Sequence, residues 1–292
     1  MIFSCENEVA SAGDLVIFFV SPNDISPVHL EEGKILQHRL GKFRHDDMIG
    51  KRFGQKVVSI DGQRHVSMLR PTPELWTRSL PHRTQILYLP DISFILRKLN
   101  IKPGSVVIES GTGSGSFSHS IFRSLLPNGH LYTFEFHPER AKLAVEEFEK
   151  HGMSSLVTVE HRDVVERGFG MVDLADSVFL DLPATWEALK WAKEALKKDG
   201  SGRVCCFSPC IEQVLKNFET FRQLEFTDIE MFEVLSRDYE IRSIGSAGSI
   251  EAPKTKKAKM DINTNDSCIT MPQAEAKGHT SYLTFARLPI IE

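Results

Sequence analysis

The feature that most constrains the fold is a glycine-rich segment, Glu109–Ser116, that reads Glu-Ser-Gly-Thr-Gly-Ser-Gly-Ser. It follows the apolar run 105–108, and apolar residues recur after it at helical spacing, from Phe117 to Leu126. This order predicts a strand, a tight turn and a helix. Glycines in such a turn permit positive φ and let a nucleotide-like ligand approach the backbone, although a plain surface turn is the simpler alternative.

Acidic residues narrow the kind of ligand. Glu135, about 20 residues after the glycines, is also typical of dinucleotide-binding folds, so by itself it leaves NAD and S-adenosylmethionine open. Ser116 replaces the third glycine of the dinucleotide pattern, and Glu109 stands where it would repel a diphosphate but tolerate a sulfonium, so both favour S-adenosylmethionine. Asp163 and Asp181 follow later apolar runs, and we expect them to converge on the same sheet edge, although a helix cap is the simpler interpretation of Asp163 alone.

Composition indicates an ordinary globular protein. The chain has 292 residues, 41% of them hydrophobic, enough for one large domain or two smaller ones. It contains no apolar run of the roughly 18 to 20 residues that a membrane helix needs, and its first 20 residues lack the pattern of a secretory leader, so we expect an intracellular protein. The cysteines at 5, 205, 206, 210 and 268 form no paired C-x-x-C motif, which fits a reducing compartment. Cys205, Cys206 and Cys210 could bind a metal, but buried thiols of a strand are the simpler interpretation, so we expect no metal.

Three regions follow one another along the chain. We predict an N-terminal β-rich domain over 1–70, connecting helices over 71–100 and a ligand-binding domain over 101–292. In the last region strands and helices alternate, which indicates an α/β fold with a doubly wound parallel sheet. The predicted strands are 105–108, 131–136, 157–160, 177–181, 203–208, 229–235 and 281–287, and the predicted helices are 116–126, 138–150, 186–198 and 211–224.

An insert of different composition interrupts the last region. Residues 240–281 contain no Phe, Trp or Tyr, and we expect 246–277 to be largely disordered because they offer little to bury. Within the insert, Pro253–Lys259 is a basic cluster typical of a nuclear import signal. We therefore predict a nuclear location, although such clusters also occur without any targeting role.

Charge is unevenly distributed. The chain carries −4 overall, yet residues 34–83 contain 11 Lys and Arg against four acids, which gives that segment +7 and the remainder −11. Such a segment can bind a phosphate backbone, and Arg39 and Arg44 are candidates for that contact. A merely solvated basic face explains the pattern equally well.

Longer blocks carry a family resemblance. The glycine segment, the acids and the order of strands resemble class I S-adenosylmethionine-dependent methyltransferases. The blocks Arg70–Trp76, Pro81–Tyr88, Phe207–Val214 and Gly278–Thr280 resemble the catalytic subunits of eukaryotic tRNA adenine-58 N1-methyltransferases. The resemblance implies a Rossmann-like seven-stranded sheet with helices on both faces, preceded by a small N-terminal β domain.

The same resemblance implies an activity and a partner. It implies methyl transfer from S-adenosylmethionine to N1 of adenine 58 in the T-loop of tRNA. It also implies an RNA-binding, non-catalytic related subunit, which pairs with this chain in a heterotetramer. Four alternatives stay open: another RNA such as mRNA, an isoaspartyl-type protein substrate, a nicotinamide-dependent oxidoreductase, and a non-catalytic RNA-binding scaffold.

Roles for individual residues follow from the resemblance and from the strand ends. Asp181, in Asp181-Leu182-Pro183, is the candidate catalytic residue, because a carboxylate can accept a hydrogen bond from the adenine N6 amine and stabilise the charge of the methylated base. The predicted cofactor-binding residues are Leu87, Gly111, Gly113, Ser114, Gly115, Ser116, Glu135, Arg140, Asp163, Val164 and Asp181. The predicted substrate-binding residues are Arg39, Arg44, Thr84, Gln85, Tyr88, Pro183, Phe207, Ser208, Pro209 and His279. Tyr88, Phe207 or Trp186 would stack on the base.

Overall fold

The alternating elements after residue 101 form one seven-stranded sheet. In the computed structural model, which describes residues 8–81, 83–243, 268–272 and 279–290, the strand order of this sheet is β12-β15-β11-β10-β7-β8-β9. The pairs among β7 to β11 are parallel, and β15 is antiparallel to both of its neighbours. The strands are β7 Val106–Ser110, β8 His130–Glu135, β9 Val157–His161, β10 Ser177–Leu180, β11 Arg203–Ser208, β12 Thr227–Phe232 and β15 Tyr282–Arg287.

Helices cover both faces of this sheet. Val178 and Leu180 of β10 pack in one cluster with Ala188 and other residues of α6, whereas Phe179 between them points to the other face and meets Phe117 of α3 edge-on at 4.7 Å. The bounds of the helices are α3 Ser116–Leu125, α4 Pro138–Lys150, α5 Val164–Arg167, α6 Thr185–Ala195 and α7 Ile211–Gln223. The predicted fold class is confirmed.

The strands before residue 70 form their own small core. One sheet has the order β2-β1-β6-β5, and β3 pairs with β4 in a separate hairpin. Phe18, Phe43 and Met68 lie at the centre of the core, each almost fully buried. The strands are β1 Leu15–Ser21, β2 Asp24–His29, β3 Ile35–His38, β4 Gly41–Arg44, β5 Lys56–Val58 and β6 His65–Leu69.

Two helices link this core to the large sheet. Helix α1, Pro73–Ser79, begins after Thr72, whose hydroxyl accepts a hydrogen bond from the Leu75 amide at 3.3 Å. Helix α2 is Leu89–Lys98 and has Pro90 in its first turn, where a missing amide costs nothing. Helix α1 packs on α3, which carries the glycine segment at its start.

Residues 233–281 form a second compact unit, separate from Met1–Phe232 and Tyr282–Glu292. In it β13, Tyr239–Ser243, pairs antiparallel with β14, Cys268–Pro272. Strand β14 lies inside the insert for which we predicted disorder; its apolar Ile269 and Met271 alternate with Thr270, a pattern that fits a strand. The remaining insert residues, 246–267 and 273–277, and with them the basic cluster 253–259, lie outside the described residues.

The structure also differs from the sequence prediction at several elements. Strand β2 contains Pro27, which usually indicates a turn, yet β2 is an edge strand, where a residue without an amide hydrogen is tolerated. Helix α6 ends at Ala195 rather than at residue 198, because Leu196 turns extended and its amide closes the last turn on the Ala192 carbonyl. No helix among the described residues is long and apolar enough to cross a membrane.

Candidate active site

The glycine segment forms the turn between β7 and α3. The Gly111 amide donates to the Phe134 carbonyl at 2.9 Å, and the Gly115 amide donates to the Thr112 carbonyl at 2.9 Å. Gly111 has φ +95°, and a Cβ placed on it would lie 2.2 Å from the Asp181 carbonyl oxygen. Only glycine therefore lets this turn lie against the chain that leaves β10.

Glu135, at the end of β8, is the polar centre of the site. Its Oε2 accepts a hydrogen bond from the Gly113 amide at 3.0 Å. Its Oε1 accepts from Arg140 Nη2 at 2.7 Å and from the His137 amide at 3.0 Å. These bonds fix a nearly fully buried carboxylate at the cavity wall. The predicted contact of Glu135 with the cofactor stays a prediction.

A cavity of about 550 Å³ opens at the carboxyl ends of β7, β8 and β10. Its size suits a nucleoside-containing ligand. Twelve of the predicted site residues line it: Thr84, Gln85, Leu87, Gly111, Gly113, Glu135, Arg140, Asp163, Val164, Asp181, Pro183 and Phe207.

Three further residues of the segment have supporting contacts. Ser114 Oγ accepts from the amides of Arg83 and Thr84 at 2.9 and 3.1 Å, so it holds chain 83–87 against the turn. Ser116 Oγ donates to the Leu87 carbonyl at 3.1 Å and lies 2.9 Å from Thr77 Oγ1. Gly115 is the N-cap of α3, with φ +75°. Ser114 and Ser116 line a smaller pocket that adjoins the main cavity.

Burial sets the protonation of the two central acids. Desolvation raises the pKa of Asp181 to about 7, and the negative charge of Glu135 adds to the effect. Desolvation also raises the pKa of Glu109 to about 7, although a hydrogen bond of 2.6 Å from the Ser118 hydroxyl opposes it. A cationic centre in this cavity would favour the ionised form of both groups.

Asp163 serves as a helix cap as well as a cavity residue. Its Oδ1 accepts from the amides of Val165 and Glu166 at 2.9 and 3.3 Å at the start of α5. The contacts of Asp163 are therefore those of a helix cap, the simpler interpretation of the sequence. Asp163 also lines the cavity, and its contact with adenine stays a prediction.

Other predicted substrate residues lie elsewhere. Ser208 is fully buried and accepts a hydrogen bond from Asn217 Nδ2 at 3.1 Å, so its side chain supports the fold and does not line the cavity. Arg39 is bound to Asp24, with its Nε 2.9 Å from Oδ2. Arg44, Tyr88 and Pro209 are exposed and outside the cavity lining, and His279 is bonded to Glu233 within the second unit.

The third candidate for base stacking, Trp186, also has a partner. Lys216 Nζ lies 4.3 Å from the centroid of its ring. Of the three aromatic candidates, Phe207 is the one that lines the cavity.

Sequence reasoning missed several cavity residues. Phe136 is 57% exposed and lines the cavity directly after Glu135, so its ring can cover a bound ribose or base. Its place next to a strand-end acid was a usable signal. Arg162 and Leu182 also line the cavity. Leu182 stands between the predicted residues Asp181 and Pro183, whereas no pattern in the sequence marked Arg162.

Outside the cavity, His119, Glu147 and His151 bring three ligand-type atoms within 4.8 Å of one another. Glu147 Oε2 already accepts from Arg83 Nη2 at 2.7 Å, and the two histidine rings are bonded to each other at 2.8 Å. The neighbouring guanidinium disfavours a cation, so we assign no metal here.

Residues 64–259 match the family model described as "tRNA methyltransferase complex GCD14 subunit". The chain belongs to the GCD14 family. A tRNA (adenine(58)-N(1))-methyltransferase catalytic subunit of Candida albicans is 38% identical over 94% of this chain and 95% of its own length. A protein of the same description from Cryptococcus neoformans is 47% identical over 79% of this chain, which spans only about half (53%) of that relative.

Solved structures share the fold of this chain. A SAM-dependent O-methyltransferase from Thermotoga maritima superimposes with a TM-score of 0.80, at 28% identity and 99% coverage of both chains. A tRNA (m1A58) methyltransferase from Aquifex aeolicus has a TM-score of 0.70 at 24% identity, covering 96% of this chain and 98% of its own, which shows a shared fold. The resemblance predicted from the sequence is confirmed, and S-adenosylmethionine is confirmed as the cofactor at the level of the family.

The residues of the cavity fit that cofactor. The turn at Gly111 and Gly113 has no room for a Cβ, since one on Gly113 would lie 2.8 Å from Thr84 Oγ1. Asp181 lines the cavity and Glu109 adjoins it, and both have raised pKa values. A nearby positive sulfur stabilises the ionised form of each. A diphosphate would meet the same acids at a cost, so the site favours S-adenosylmethionine over NAD.

Proposed function

We propose that the chain is the catalytic subunit of a tRNA methyltransferase that methylates N1 of adenine 58 in the T-loop. The observation that carries the proposal is the position of Asp181, a cavity carboxyl group whose backbone lies directly against Gly111 of the cofactor turn. Membership in the GCD14 family and the printed names of the relatives support the choice of substrate.

S-adenosylmethionine supplies a methyl group on a positively charged sulfur, which an incoming nitrogen can displace in line. The chain mainly has to hold the two reactants in contact and in alignment. Glu135 receives the ribose, with Arg140 and the Gly113 amide holding its carboxylate in place. Leu87, the glycine segment and Asp181 together line the smaller pocket that adjoins the cavity.

Asp181 acts on the base. Its carboxylate accepts a hydrogen bond from the N6 amine of adenine, which raises electron density at N1 and stabilises the positive charge of the product. This role needs the ionised form. Because the pKa of Asp181 is raised to about 7 by burial, the ionised fraction grows as pH rises through neutrality.

Access of the base requires distortion of the RNA. Adenine N1 lies on the edge that pairs and stacks in folded tRNA, so the base has to leave its stack. Phe207 and Pro183 line the cavity beside Asp181, and Phe207 provides an aromatic surface for the extruded base. Gln85 lies in the same wall and can hydrogen-bond to a base edge.

The N-terminal strands supply a basic surface for RNA. Lys42 and Arg44 alternate with buried Phe43 on β4 and are both exposed, so both are available to phosphates. The proposal includes a related non-catalytic subunit that contributes further RNA contacts, assembly as a heterotetramer, and a nuclear location. Support for these three points is the family resemblance and, for the location, the basic cluster 253–259.

A labelled-methyl assay tests the substrate class. The chain, alone and with a candidate partner, is incubated with methyl-labelled S-adenosylmethionine and equal amounts of unmodified tRNA, mRNA and an isoaspartyl-containing protein. We expect tRNA to take up the label, more strongly with the partner. Label in protein would contradict the proposal, and label mainly in mRNA would move the substrate to another RNA.

A further inference from the structure

A pair of buried histidines lies next to Gly115, near the end of the glycine segment Glu109–Ser116. His119, in the first turns of α3, is fully buried, and His151, at the end of α4, is 1% exposed. His119 Nδ1 lies 2.6 Å from the Gly115 carbonyl oxygen, and His119 Nε2 lies 2.8 Å from His151 Nδ1. Neither ring lines the cavity.

The Gly115 carbonyl determines which ring nitrogen carries the proton in each of the two hydrogen bonds. A carbonyl oxygen cannot donate, so His119 Nδ1 carries the hydrogen and donates it to Gly115. Burial lowers the pKa of His119 to about 4, so its ring is neutral near pH 7 and Nε2 must accept. His151 Nδ1 is then the donor to His119.

Gly115 is the residue where the cofactor turn becomes a helix. Its left-handed conformation, φ +75°, directs its carbonyl into α3, where the His119 amide also donates to it at 3.2 Å. The next residue, Ser116, is tied to chain 83–87 through the Leu87 carbonyl. A shift at Gly115 would therefore move Ser116 and, through Leu87, the segment 84–87 that lines the cavity.

The histidine pair is held by aromatic neighbours from earlier parts of the chain. The ring of Trp76 in α1 meets His151 edge-on at 4.7 Å, and His29 of β2 stacks on His151 at 6.0 Å. The orientation of His151 is thus set by residues of the N-terminal strands and α1.

We propose that His119 is a positioning residue for S-adenosylmethionine binding: its Nδ1 hydrogen bond holds the Gly115 carbonyl, while its Nε2 accepts the hydrogen bond from His151. The inference rests on the proposed function only in the identity of the cofactor. It predicts that cofactor affinity depends on the bond to Gly115 and much less on the bond to His151.

Two substitutions separate these bonds. The amide nitrogen of asparagine reaches about the position of Nδ1 and can donate to Gly115, so His119→Asn keeps that bond. The amide oxygen of glutamine can take about the position of Nε2 and accept from His151 Nδ1, so His119→Gln keeps the bond to His151. Each loses one buried hydrogen bond, so a merely structural role predicts similar effects of both. His130→Asn, at the amino end of β8, is the matched control.

Calorimetric titration with S-adenosylmethionine, on the chain with its partner, gives the readout. We expect His119→Asn and His130→Asn to bind within about twofold of the wild type, His119→Gln to bind about tenfold more weakly, and both His119 variants to lose similar thermal stability. Equal affinity of the two His119 variants would overturn the inference. Failure of the wild type to bind would instead overturn the proposed cofactor.

Nitrogen-15 spectra of the histidine rings test the geometry without any ligand. We expect the wild-type His119 ring to be neutral with its proton on Nδ1. A ring protonated on Nε2 alone would contradict the bond to Gly115 and with it the inference.

Discussion

Gly111 and Asp181 lie in such close contact that a methyl group on Gly111 would overlap the Asp181 carbonyl oxygen, at 2.2 Å. The glycine segment and the candidate catalytic residue are therefore in direct contact where β7 and β10 end. The register explains it, because Ser110 pairs with Leu180 and the next residue of each strand faces the other. A substitution that disturbs the contact between Gly111 and Asp181 should consequently weaken both cofactor binding and base activation.

Gly111→Ala tests this relationship. The new Cβ has to displace the backbone at Asp181, so we expect S-adenosylmethionine affinity to fall at least tenfold, about 1.4 kcal/mol, and turnover to fall further. Calorimetric titration and the labelled-methyl assay measure the two effects. Gly62→Ala is the control, since Gly62 also has a positive φ, +71°, but nothing within 4 Å of its Cβ position. Equal cofactor affinity of the two variants would show that the contact between Gly111 and Asp181 does not control cofactor binding.

Proton release on cofactor binding tests the electrostatics of the cavity. At pH 7 Asp181 and Glu109 are each partly protonated, because burial raises the pKa of each carboxyl to about 7. A positive sulfur lowers both pKa values, so we expect S-adenosylmethionine to release protons at pH 7 and S-adenosylhomocysteine, whose sulfur is uncharged, to release fewer. Calorimetry in buffers of different ionisation enthalpy counts them. Asp181→Asn should release fewer protons than the wild type, and an unchanged count would contradict its raised pKa.

Neighbouring residues at the end of β11 give a prediction about substrate contacts. Phe207 lines the cavity while Ser208 is buried against Asn217, so their side chains have different roles. We expect Phe207→Ala to lower kcat/KM for tRNA at least tenfold with little change in cofactor affinity. Ser208→Ala should instead lower the free energy of unfolding by about 1 kcal/mol and leave kinetics near those of the wild type. Denaturant titration and steady-state kinetics distinguish them. A tRNA-specific defect in Ser208→Ala would confirm its predicted role in substrate binding and contradict a purely structural one.

The sequence predicted much of the large sheet because its signals are local. The apolar runs, the glycines and the strand-end acids each report on their own segment, and parallel order brings Glu135, Asp163 and Asp181 to one edge. Blocks of family resemblance added residues such as Gln85 and Phe207, which no periodicity would select.

Two kinds of feature could not be predicted from the sequence: the orientation of side chains at strand ends, and contacts between residues far apart in the chain. Whether Phe207 or Ser208 faces the cavity is decided by strand alternation at one position, and Arg39 was assigned to RNA without knowledge of its bond to Asp24. His119 gave no signal at all, since a histidine in a helix is visible as a support for Gly115 only once the two are 2.6 Å apart.

The most direct test of the account is position-resolved detection of the methyl group on tRNA, comparing wild type and Asp181→Ala in the complex with the partner subunit. We predict 1-methyladenosine at position 58 with the wild type, none on a transcript carrying guanosine there, and a rate at least about 100-fold lower with Asp181→Ala, or about 2.7 kcal/mol in activation free energy. Cofactor affinity of the variant should stay within tenfold. Methylation at another position, or wild-type turnover by Asp181→Ala, would contradict the account.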